Sequence, residues 1–222
     1  MNQLLKGFSH FLSLLFHPLF IIIYVLWLFL IINPYLFPYR NGHQFIAWFM
    51  RVFFISVMIP IISILTMYGT GLITSIKMEE KTERIGPLIV TSISYLWLFL
   101  NIRTHNAFPS VFSAFVLGAV ISLFIAFFIN NFSKISLHAV GLGGLLMSVF
   151  HLSLSNGRAY SVIKLFGDMS LSIHNLLLLS LIIIVIGAVL SSRLLLKAHR
   201  LQDVTGGLIV GIIGQLISIK LF

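Results

Sequence analysis

Residues 169–203 read MSLSIHNLLLLSLIIIVIGAVLSSRLLLKAHRLQD. The first part, 169–192, holds no formal charge. It exceeds the roughly 20 apolar residues that a helix needs to cross the hydrocarbon core of a bilayer. Backbone groups in hydrocarbon have no water to bond, so such a run is a helix rather than an open strand. The charges then return abruptly, as Arg193, Lys197, His199, Arg200 and Asp203, before a second uncharged run at 204–219. Working outward, the same reading applies at 7–39, 52–76, 85–102, 104–133 and 135–157. The last run is the shortest, but Lys220 can snorkel while Leu221 and Phe222 extend it. The expectation is an all-α, polytopic membrane bundle of about seven helices (six to seven), forming one transmembrane domain over 1–222. His17-Pro18 interrupts the first run and can set a short interfacial helix before the first crossing. That run is too long for the apolar core of a cleaved signal and is read as a retained span.

Composition agrees. Hydrophobic residues make up 59% of the 222 and charged ones only 9%, with a mean hydropathy of +1.09. A soluble domain devotes about a quarter of its residues to charge. Cysteine is absent, which excludes disulfides, thiolate metal sites and cysteine nucleophiles. The net charge of +9 suits lipid headgroups, loop topology and an anionic substrate. Nucleic acid is not expected, because no basic stretch is interleaved with aromatics in a water-exposed segment. Pro34, Pro38 and Asn41-Gly42 mark one turn, and Asn156-Gly157 opens a polar connection through Arg158, Lys164 and Asp168. Gly207, Gly211 and Gly214 put small residues on one face of the last helix, where they permit close packing.

Three clusters of ionisable residues punctuate the spans: Lys77 to Pro87, Lys134 to His138, and Ser192 to Asp203. Two spans separate the first from the second, and two more separate the second from the third. All three therefore lie at the same membrane face, whatever the first run does. Lys77 and Arg84 are seven apart, sharing a helix face roughly 10 Å apart. Four residues separate His199 from Asp203, so the carboxylate can accept from one imidazole nitrogen and leave the other free as a nucleophile. Arg193 would point away from His199 on a continuous helix, so the chain must turn between them if both meet one ligand. Guanidinium forks suit phosphate oxygens, and Lys77 adds a point charge.

Ser192-Arg193-x5-His199-x3-Asp203 resembles in full the third motif of the type 2 phosphatidic acid phosphatase superfamily, membrane-integral phosphatases with a histidine nucleophile. Lys77-x6-Arg84 has the spacing of that family's first motif, and Ser136-Leu137-His138 is similar to its second. The likeness covers about 77–222, the phosphatase-like core. It departs from the pattern at Pro87, which follows Arg84 by three residues rather than one, and at Ile135 and Leu137, which stand where the family has Pro and Gly. The resemblance implies a metal-independent phosphatase, without cofactor, acting on a membrane lipid phosphate or diphosphate. In it His199 attacks phosphorus, Asp203 orients His199, and His138 serves as acid and then base. Lys77, Arg84, Arg193 and Ser136 bind the phosphoryl oxygens. The alternatives are phosphotransfer between lipids by the same chemistry, and a non-catalytic lipid-binding or transport protein on the same scaffold.

Plainer readings stand beside these. Juxtamembrane Lys and Arg are ordinarily topological anchors. Lys81 can substitute for Lys77 from a neighbouring turn, Ser136 is also placed to cap a helix, and His138 to begin one. The remaining histidines, His17 and His174 among them, are scattered, with no i,i+4 pair for a metal or haem. Eight Lys or Arg fall on the motif face and six on the other, or five against six without Lys77, Arg84 and Arg193. The positive-inside rule is then silent. Orientation rests on the resemblance, which implies the extracytoplasmic face of a bacterial inner membrane.

Overall fold

The computed structural model describes residues 3–37, 42–76, 78, 80–104, 108–155, 160–164 and 170–222. Lys77 lies outside them, as do Pro38, Asn41, Glu79, Asn156, Gly157, Arg158 and Asp168. The protein is a polytopic helical bundle. Its helices are α1 (Gln3–Leu15), α2 (Ile21–Ile32), α3 (Gly42–Phe53), α4 (Ile59–Gly69), α5 (Ile85–Arg103), α6 (Ser110–Phe132), α7 (Leu137–Ser155), α8 (Asn175–Leu195) and α9 (Leu201–Leu221). A two-stranded hairpin, β1 (Tyr160–Lys164) and β2 (Ser170–His174), joins α7 to α8. Among the described residues, six helical stretches are long and apolar enough to cross a membrane: Gly42–Gly69, Thr82–Arg103, Ser110–Phe132, Leu137–Leu154, Asn175–Leu195 and Leu201–Leu221. A seventh forms if α1 and the helical stretch from Pro18 to Ile32, which meet at a bend of 40°, count as one span.

Proline chemistry explains both irregular helices. Pro18 pushes His17 into an extended conformation (φ −61°, ψ 138°), which ends α1, and the His17 ring then accepts from the Leu19 N–H. Between α3 and α4 the helix widens into a π turn at Phe54–Met58. Pro60 has no N–H to offer the Ile55 carbonyl, and that carbonyl instead accepts from the Ser94 hydroxyl on α5.

The hairpin departs from the reading of 169–192 as one helical run. Ser170-Leu171-Ser172-Ile173 alternates polar and apolar and pairs antiparallel with 160–164, Ile173 opposite Ser161. Its His174 then caps α8, the ring accepting from the Leu176 N–H at 3.2 Å. Ile163 and Ile173 pack against the main apolar core.

Helices α6, α7 and α9 pack with their backbones almost touching. A Cβ on Gly211 would run into the Val140 carbonyl and the Gly143 and Gly144 backbone. One on Gly207 would lie 2.6 Å from the Ser136 carbonyl. The small-residue face expected of the last helix is therefore a close-packing seam. At one end of the bundle, two hydrogen bonds tie the first charged segment to the end of α6 and two more join the three charged segments to one another. Asn130 Nδ2 donates to the Lys81 carbonyl (2.9 Å) and Lys81 Nζ to that of Phe132 (3.2 Å). Arg84 Nη1 donates to the Ile135 carbonyl (3.2 Å), and the Ser136 N–H to the Asp203 carbonyl (3.1 Å).

Candidate functional site

The third segment turns between Arg193 and His199, as a ligand shared by the two would require. Helix α8 ends in a left-handed turn: Lys197 has φ +54°, its N–H returns to the Leu194 carbonyl (2.9 Å), and the Ala198 N–H returns to that of Arg193 (3.2 Å). These are the two bonds of a Schellman cap, here with Lys in the position usually given to Gly. The reversal brings Arg193, from the last turn of α8, and His199, from the connection, to one cavity. Asp203 sits in the first turn of α9 and its Oδ2 accepts from the Arg200 N–H at 3.0 Å. The same oxygen lies 3.5 Å from His199 Nδ1, too far for a direct hydrogen bond, and no other described residue bonds that nitrogen. The His199 side chain is only 4% exposed. Burial holds its pKa down to about 4; Arg193, Arg84 and Lys134 push the same way, against the opposing pull of Asp203. The ring is neutral at physiological pH.

The second segment supplies Ser136 and His138. Ser136 is fully buried and its hydroxyl has no hydrogen-bond partner among the described residues, so it does not cap α7. Its backbone does the joining, through the bond to Asp203. His138 begins α7, as a helix-start residue would, but its ring is buried and faces inward. His138 Nε2 is 2.9 Å from the Ser13 carbonyl, an acceptor only, so Nε2 carries the proton and Nδ1 keeps its lone pair.

In the first segment, Arg84 is the residue that reaches the site. Its Nε donates to the Met78 carbonyl (2.9 Å), Met78 itself being left-handed at φ +48°. Lys81 turns to the Phe132 carbonyl and does not line the cavity.

Arg84, His138, Arg193 and His199 line one cavity. None of the described residues lining it is acidic. Arg193 Nε is buried without a partner, a donor left for something not supplied by the described residues. Below this cationic end the walls become apolar: Ile21 and Ile22 of α2, Leu88 and Tyr95 of α5, Phe115 and Leu123 of α6. From Arg84 to Tyr95 the descent is roughly 16 Å at 1.5 Å per residue. The arrangement can hold an anionic head against two guanidinium groups and two imidazoles, with an apolar tail inside the bundle.

One further lining residue is His17, a histidine that the sequence places in no i,i+4 pair and in none of the three charged segments. Its ring meets that of His138 edge-on at 5.7 Å between centroids. It lies 121 positions before His138 and outside every charged cluster, so no spacing in the sequence pointed to it. No family model matches the chain, and neither a curated protein nor a solved structure does.

Proposed function

We propose that the protein is a membrane lipid phosphatase, hydrolysing a lipid phosphate or diphosphate through a phosphohistidine. A single observation carries this: one cavity joins Arg84, Arg193, His138 and a neutral, buried His199 to an apolar channel. The similarity of Ser192–Asp203 to the third motif of the type 2 phosphatidic acid phosphatases supports it, and with it an extracytoplasmic site in a bacterial inner membrane.

In this reading Asp203, 3.5 Å from His199 Nδ1, closes to accept from it when substrate binds, so Nε2 attacks phosphorus and the bond to the lipid oxygen breaks. Charge on the equatorial oxygens is met by Arg84 and Arg193, joined by Lys77 and the Ser136 hydroxyl. His138, its Nε2–H spent on Ser13, works through Nδ1: that nitrogen first takes the proton of the singly protonated phosphate group of the incoming lipid and passes it to the departing lipid oxygen, which leaves its lone pair free again. A water then loses its proton to the same nitrogen as its oxygen displaces His199, releasing phosphate. The test is purified protein in detergent with a short-chain lipid phosphate. Release of inorganic phosphate is the expected result. Movement of the phosphoryl group onto an added lipid alcohol instead would make it a transferase, and neither product would remove the reading.

A further inference from the structure

His17 enters the cavity from a part of the chain that none of the three charged segments includes. It sits at the break between α1 and α2, half-buried. One ring nitrogen is committed: Nδ1 accepts from the Leu19 N–H at 3.4 Å, capping the short helical turn at Pro18–Phe20. The proton of the neutral ring is therefore on Nε2. No described residue hydrogen-bonds to that nitrogen. The ring stands against His138 in a cavity whose described lining holds the Arg84 and Arg193 guanidinium groups and no acidic residue. A free N–H there is suited to an anionic oxygen, not to a cation.

The segment carrying His17 is also anchored to the site. The Ser13 carbonyl accepts from His138 Nε2, and Ser13 Oγ is 3.3 Å from Ser192 Oγ, next to Arg193. Ser9 and Ser13 are buried, and α1 packs on α8, while Leu4, Phe8, Phe11 and Leu14 of α1 face outward. Small residues on the inner side let α1 come close enough for the Ser13 main chain to reach the His138 ring.

We infer that His17 is a further ligand of the phosphoryl group, its Nε2–H donating to an oxygen beside His138. This rests on the phosphate reading of the cavity. Ser13, through its carbonyl, is a positioning residue for His138, as Asp203 is for His199.

The test uses the full chain in detergent with orthovanadate as the phosphate probe, its affinity measured by calorimetry. Two variants separate the roles of the ring. His17→Phe keeps an aromatic ring beside His138 and loses the donor. His17→Asn keeps an acceptor for the Leu19 N–H but is too short to reach the anion. Both should weaken vanadate binding by about tenfold or more, the scale of a lost hydrogen bond to a charged group. Binding by His17→Phe within about twofold of wild type overturns the inference. So does full affinity in His17→Asn, which would mark His17 as a cap only. Should His17→Phe not fold, His17→Asn decides alone by the same criterion. Phosphate release from lipid phosphate, run in parallel, keeps the two proposals apart. Vanadate binding weakened by the variants, without wild-type turnover, sustains the ligand and removes the hydrolase. Wild-type turnover with unaffected variants does the reverse. No vanadate binding by the wild type overturns both.

Discussion

His199 differs from an ordinary histidine because it is enclosed, with Arg193, Arg84 and Lys134 set against the Asp203 carboxylate. Two outcomes follow at this scale. His199→Ala should abolish phosphate release, since no other nucleophile is assigned, while the variant still inserts and elutes as folded protein. Wild-type turnover in that variant would end the phosphohistidine mechanism. The ring should also titrate near pH 4 rather than near 6.5, read by imidazole NMR with His199→Gln to assign the signal. The sign for stability follows. The unfolded ring takes its proton near 6.5 and the folded ring near 4, so this site's contribution is present above 6.5 and is lost as pH falls towards 4. A ring titrating at or above 6.5 in the folded protein would contradict the enclosure described.

At the scale of elements, the site depends on how closely α7 and α9 approach. The Ser136 N–H can reach the Asp203 carbonyl because Gly207 and Gly211 leave no side chain between the helices. Helix α9 offers an internal comparison. A Cβ at Gly211 meets backbone of α7, which cannot move aside, whereas one at Gly206 meets nothing within 4 Å. Gly211→Ala should therefore destabilise by about 1–3 kcal/mol, as overpacking does, and Gly206→Ala should be neutral or stabilise by up to about 1 kcal/mol. Thermal unfolding of the two variants in one detergent checks this. Equal melting temperatures would mean that the seam is not a tight contact. The left-handed turn at Lys197 matters in a similar way: without it α8 would continue and carry Arg193 away from His199.

Taken whole, the molecule gathers cations from α8 and from the turn before α5 at one end of an apolar channel. Two guanidinium groups can do the charge neutralisation for which many phosphoryl-transfer enzymes use magnesium. Phosphate release should therefore persist in excess EDTA, with Glu79, Glu80 and Glu83 the rival ligands to consider. Loss of activity in chelator, restored by a divalent ion, would overturn the assignment of that work to arginine.

The membrane class and the shared face of the three segments were legible in the sequence for simple reasons. An uncharged run either crosses a bilayer or must be hidden, and an even number of crossings returns the chain to the same side. A ligand shared by Arg193 and His199 would require a turn between them, and one is present at Lys197. Local pattern was less decisive at 170–174, where apolar residues that also fit a helix pair with 160–164 as a strand. What only the tertiary structure decided was proximity: that Arg84, His138, Arg193 and His199 line one cavity, that the Ser136 hydroxyl is left without a partner among the described residues, that His17 also lines the cavity, and that the Ser13 carbonyl meets the His138 ring. Charge spacing and parity constrain the end of the bundle at which a residue lies. They carry no information on which helices touch, because contacts between apolar helices are set by the shapes of small residues meeting across 70 or 120 positions of chain.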